Sequence, residues 1–110
     1  MQKMENQNIQ NIQNIQSLKR NDIVKHFKYE TLNEDQKNDC LYMYKILDTN
    51  VIHTETGEKL VVYSTMYDGK KYGMNVEKGQ TFARPADMFF SKVDKEKYPN
   101  IKQVFRFEKV

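Results

Sequence analysis

The side chains here that could do chemistry are two histidines, an arginine ahead of a proline, one cysteine and a set of tyrosines. His26 and His53 fall in two different β-rich stretches and could converge. With Glu55 or Glu58 they would then form a two-histidine, one-carboxylate metal site. Neither a helical HxxxH spacing nor a cysteine cluster accompanies them, and isolated histidines commonly hydrogen-bond to backbone, so no metal and no other cofactor is expected. Arg84, just before Pro85, has the planar fork that can hold an anion. Its plainer role is an ion pair with a carboxylate such as Glu55 or Asp87. Cys40 follows Asp39, and no histidine is placed by sequence to activate it, whereas a nucleophilic thiolate needs such a neighbour. Glycine-rich phosphate loops and hydroxyl-nucleophile elbows are absent. A small hydrolase or metal enzyme is therefore the least expected class, and no catalytic residue is assigned.

The elements that must position these groups centre on Val51–Tyr67. Two apolar runs rich in β-formers flank the turn Thr54-Glu-Thr-Gly-Glu58, which is a hairpin signal. Upstream, Asp22–Lys28 reads as a first strand and polar, acidic Tyr29–Asp39 as a surface loop with one helical turn starting at Thr31 or Asn33. Leu41–Leu47 reads as a second strand, extended through a bulge at Asp48–Asn50 into Val51–Thr54. Lys59–Tyr67 returns from the turn. Lys70–Gln80 is a loop or short ribbon. Thr81–Arg84 is a short strand ended by Pro85, and Pro85–Met88 fits a single 3₁₀ or α turn. Phe89–Val93 can leave it as a strand, and Ile101–Val110 alternates well enough to be the last. Five or six short strands with little helix predict an all-β fold, a small antiparallel barrel.

Parity along Lys59–Tyr67 places Val61, Tyr63, Thr65 and Tyr67 on one face and Leu60, Val62, Ser64 and Met66 on the other. Neither face is polar. Only one can point inward, so the other is covered by the chain itself or forms an interaction surface. The chain has seven tyrosines and six phenylalanines. Aromatics of a small barrel are core first, and those beside loop ends can stack on bases or hold a peptide. His26, His53, Tyr63, Tyr67, Phe82 and Arg84 form the candidate lip. The expected function is a non-enzymatic binding module that recognises a protein, a peptide or a small anionic ligand there. Single-stranded nucleic acid on the same surface is the alternative.

Size and composition bound these readings. One hundred and ten residues make one domain at most. Residues 1–20 form an Asn/Gln-rich tail in which Asn-Ile-Gln repeats three times over Asn8–Gln16, expected to be disordered or helical; 21–110 form the domain. A domain of about ninety residues buries around two-thirds of its unfolded surface and has no room for a deep active-site cavity. The net charge of +3 is spread thinly: Met1–Arg20 carries Lys3, Lys19 and Arg20 against Glu5, which leaves 15 basic and 14 acidic side chains beyond. That is weak support for a nucleic-acid partner, whose phosphates usually demand a clear basic excess. No apolar run approaches the ~18 residues that span a bilayer, and no secretory signal is visible. The single cysteine makes no internal disulfide, as in a reducing cytoplasm.

The order and spacing of several short motifs resemble a bacterial family, domain of unknown function family 1653. They are His26-Phe27-Lys28, Tyr44-Lys45-Ile46-Leu47, His53-Thr-Glu-Thr-Gly-Glu58, Leu60-Val-Val-Tyr63, Tyr67, Arg84-Pro85, Met88-Phe89 and Arg106-Phe107-Glu108. The resemblance covers about Asp22–Glu108. It implies an SH3-like β-barrel and no particular activity. The link Tyr29–Asp39 is longer than the short glycine turn usual in that family, and Phe82 stands where a tryptophan often precedes the Arg-Pro pair.

Overall fold

Strands form where β-branched and aromatic residues cluster between turn residues. The computed structural model describes residues 18–110, so the expected character of the tail concerns residues that lie almost wholly outside the described ones. The strands are β1 (Ile23–His26), β2 (Met43–Ile52), β3 (Lys59–Thr65), β4 (Thr81–Pro85) and β5 (Phe107–Lys109). They make one antiparallel sheet in the order β4-β3-β2-β1-β5. The all-β expectation is met, and the register of β2 on β3 shifts between Ile46 and Asp48 and again before Val51, where the bulge was read.

The closed barrel is not formed. Among the described residues β4 and β5 are the two edges, and the sheet is open. The gap is filled from a helix instead. Proline fixes the turn after β4, and the short α-helix that follows, Ala86–Phe89, swings Phe89 onto Phe107 of β5, with the rings stacked at 4.2 Å and 7°. Phe89 also meets Tyr63 of β3 at 5.3 Å. One ring therefore bridges the two sides of the opening, where a barrel would need a β4–β5 ladder.

The helical turns expected from Thr31 or Asn33 and at Pro85–Met88 are the α-helices Glu34–Asn38 and Ala86–Phe89, and the described residues add two 3₁₀ turns, Phe27–Thr31 and Gly69–Tyr72. The first α-helix starts with a capping box, Asn33 Oδ1 accepting from the Gln36 amide (2.9 Å) and Gln36 Oε1 from the Asn33 amide (3.0 Å). Phe89–Val93 is not a strand, since its first residue ends the second helix and only Lys92 bridges to Phe105. The last strand is confined to Phe107–Lys109 because side chains occupy the backbone ahead of it. Glu30 accepts from the Lys102 and Gln103 amides (2.9 and 2.6 Å), and Glu108 from Val104 and Phe105 (3.0 and 2.9 Å). Those amides have carboxylate partners and do not join a ladder.

The core is Val24, Ile46, Val61, Tyr63, Phe89 and Phe107, with Ala86 and Leu18 closing it. Among the described residues the core thus includes Leu18, five residues ahead of the first strand. Parity on β3 resolves as written: Val61, Tyr63, Thr65 and Tyr67 are buried, while Leu60, Val62, Ser64 and Met66 are half-buried on the outer face.

Candidate functional site

Register brings the candidate groups to the inner face of the sheet. His26 pairs with Phe107 across β1 and β5, Val61 with Arg84 and Tyr63 with Phe82 across β3 and β4. The curl of the sheet then brings the two free edges within side-chain reach. The Arg84 guanidinium lies over the Phe107 ring at 5.5 Å, and the His26 ring meets the same phenyl edge-on at 5.2 Å. Arg84 Nε donates to the Tyr63 hydroxyl (3.2 Å). Neither Glu55 nor Asp87 pairs with Arg84, so the plainer role read from the sequence is not the one it plays.

Tyrosines continue the wall. Tyr44 stands edge-on to Tyr63 (5.3 Å), Tyr67 (5.7 Å) and Phe107 (5.8 Å), and its hydroxyl shares a 2.9 Å hydrogen bond with that of Tyr67. Burial, then this hydroxyl contact, pushes the Tyr44 phenol far above its ordinary range. Burial likewise raises Tyr67. Both phenols stay protonated, and since one hydroxyl donates to the other, the pair keeps one O–H to offer outward.

The histidine is unusual in its surroundings. Burial first, and then the charges of Arg84, Lys28 and Arg106, take its pKa from 6.5 down to about 3. Its Nδ1 accepts from the Lys28 amide (3.1 Å), so the proton of the neutral ring sits on Nε2. That N–H has no acceptor among the described residues. Arg106 is anchored by Nε donating to Ser91 Oγ (3.1 Å). Among the described residues Arg84, Arg106 and Lys28 make no ion pair.

Five of the six expected site residues, His26, Tyr63, Tyr67, Phe82 and Arg84, therefore lie on one connected set of rings and cations. His53 does not. It sits at the tip of the β2–β3 hairpin, and the residue bonded to His26, Tyr42, sits at the other end of β2 (His26 N to Tyr42 O, 2.9 Å). Eleven residues at ~3.3 Å each separate them by up to about 36 Å. His53 has a local task, its Nδ1 accepting from the Glu55 and Thr56 amides (3.2 and 3.4 Å) to hold the turn that Gly57 completes at φ +74°. No group of three His, Cys, Asp or Glu side chains is gathered among the described residues.

Sequence reasoning left Tyr44, Arg106 and Lys28 out of the lip. Tyr44 could have been found by β2 parity, since it faces Thr65. Arg106 could not, because the segment before β5 is irregular. An open depression beside Cys40, lined by Met66, Tyr67, Lys71 and Lys78, offers little chemistry. Its carboxylate is already engaged, Lys71 and Tyr72 both donating to Asp39.

Comparison with the curated proteins, and with the solved structures, finds no match. The profile described as "Protein of unknown function (DUF1653)" matches residues 22–109, which include every strand and every ring and cation of the site. The chain belongs to that family.

Proposed function

We propose that the domain of residues 21–110 is a non-enzymatic binding module that takes an anionic group of its ligand at the His26–Arg84 face. The observation that carries this is the group of cations around one neutral imidazole, Arg84, Lys28 and Arg106, with no carboxylate paired to any of them among the described residues. Arg84 and Arg106 are half-buried and Lys28 is exposed. Half-buried cations without counter-charges are costly to assemble, and an incoming anion relieves that cost. The ligand also meets rings: Phe82 beside Tyr63 at 6.1 Å, and Tyr42 beside Tyr67 at 6.2 Å, both half-buried. An anion carried on a peptide or small molecule with a flat apolar part fits this pairing. A cytoplasmic location belongs to the same proposal, and the free thiol of Cys40 is consistent with a reducing compartment.

Arg84→Gln is expected to weaken binding of an aromatic anion such as phenyl phosphate by about tenfold or more, the value of one charge-assisted pair. His53→Ala should leave it unchanged. Calorimetric titration of the full chain measures both, and equal affinities for the wild type and Arg84→Gln would contradict the reading. A second reading, single-stranded nucleic acid, draws on the basic balance of Ser91–Val110, which holds six lysines and arginines against three acidic residues. It requires binding of mixed oligonucleotides that falls steeply with salt. Salt-insensitive or undetectable binding would remove it.

A further inference from the structure

The geometry points to a phosphate dianion, free or as the terminal group of a monoester, as the anion held by Arg84, Arg106 and the Nε2–H of His26. This inference rests on the proposed anion-binding role of the same face and specifies its chemistry.

His26 and Arg84, two of the proposed donors, share one ring, Phe107. His26 and Phe107 are register partners on β1 and β5. Arg84 lies on the Phe107 ring from β4, and the charges that act on the His26 ring are those of Arg84, Lys28 and Arg106. Two half-buried guanidinium groups and one exposed ammonium thus act on the same imidazole. A carboxylate carries a single negative charge and would leave two of them uncompensated. A phosphate monoester carries close to two at neutral pH and presents three acceptor oxygens.

The donors match that count. Arg84 uses only Nε internally, on Tyr63, and Arg106 only Nε, on Ser91; the terminal nitrogens of both make no hydrogen bond among the described residues. Each guanidinium keeps part of its fork for phosphate oxygens. The imidazole adds a neutral N–H, because its other nitrogen is fixed as an acceptor by the Lys28 amide. Glu108, the carboxylate nearest Arg106 in sequence, is turned onto the Val104 and Phe105 amides. An ester carrying a ring gains a second contact on Phe82 or Tyr44, which line the same face.

The test is a calorimetric titration of the unmodified full chain at pH 7.5 with benzoate, phenyl phosphate and inorganic phosphate. Phenyl phosphate and benzoate share a ring and differ in charge, and one further charge-assisted contact predicts a preference for the phosphate of about tenfold. Inorganic phosphate separates the two sources: weaker binding than phenyl phosphate assigns an ester, equal binding assigns the free ion, and either supports the dianion. Arg84→Lys and Arg106→Lys, which keep charge and fold but lose the fork, are expected each to reduce phosphate binding several-fold and benzoate binding less. Benzoate binding as tight as phenyl phosphate would overturn the dianion and leave the anion site standing. Binding of none of the three would overturn both.

Discussion

Phe89→Ala is expected to lower the unfolding free energy by about 3–5 kcal/mol, the range for emptying a phenylalanine site in a sealed core. Phe89 has no exposed surface. Its ring is stacked on Phe107, edge-on to Phe90 at 5.4 Å and against Tyr63 at 5.3 Å, so the rings left behind span both sides of the opening and cannot easily collapse into the space. A domain of this length has a total stability of about 5–10 kcal/mol, so the variant should be partly unfolded at physiological temperature. Urea titration followed by far-ultraviolet circular dichroism measures the change. A loss below about 1 kcal/mol would mean that the opening is not held by this ring. The consequence reaches the site as well, since Phe107 is the surface on which Arg84 and His26 both rest.

The second large effect is on pH dependence. In the folded domain His26 stays neutral down to about pH 3, held there by burial and by Arg84, Lys28 and Arg106, whereas in the unfolded chain it takes up a proton near 6.5. The unfolded state therefore binds more protons between those values. The stability this group confers is complete above 6.5 and falls as pH drops towards 3. The loss from pH 7 to pH 5 should be about 2 kcal/mol. Glu30, Asp39 and Asp48, whose pKa values are depressed, act in the same direction but only in more acid solution. His26→Asn keeps an acceptor for the Lys28 amide and removes the titrating ring, so most of the slope between pH 7 and 5 should vanish. Urea midpoints of both proteins at pH 7, 6 and 5 decide it; a flat wild-type profile, or equal slopes in the two, would contradict the account.

Local signals in the sequence were sufficient for the first four strands. Parity on β3, the bulge in β2, the glycine turn and the proline that ends β4 each depend on neighbouring residues, and each is found where the sequence puts it. The opening of the barrel was not legible, because it depends on Phe89 meeting Phe107 eighteen residues later. The end of the last strand was lost for a related reason. Its pattern alternates, but Glu30, some seventy residues away, takes the Lys102 and Gln103 amides, and Gln103 folds its own side-chain amide onto the Lys25, Phe105 and Arg106 carbonyls. For the site, residue type chose His26, Tyr63, Tyr67, Phe82 and Arg84 together with His53. Only register could separate them, by setting His26 at one end of β2 and His53 at the other.

The central claim, that the His26–Arg84 face binds an anion, is tested most directly by nuclear magnetic resonance of the side chains themselves. The His26 and His53 imidazole signals and the Arg84 Nε–H signal are followed while phenyl phosphate is added to the full chain at pH 7.5. The account predicts saturable shifts at His26 and Arg84 that fit one dissociation constant, with His53 unmoved. Saturation at His53, or shifts confined to the lysines of Lys92–Lys102 while Arg84 stays still, would contradict it.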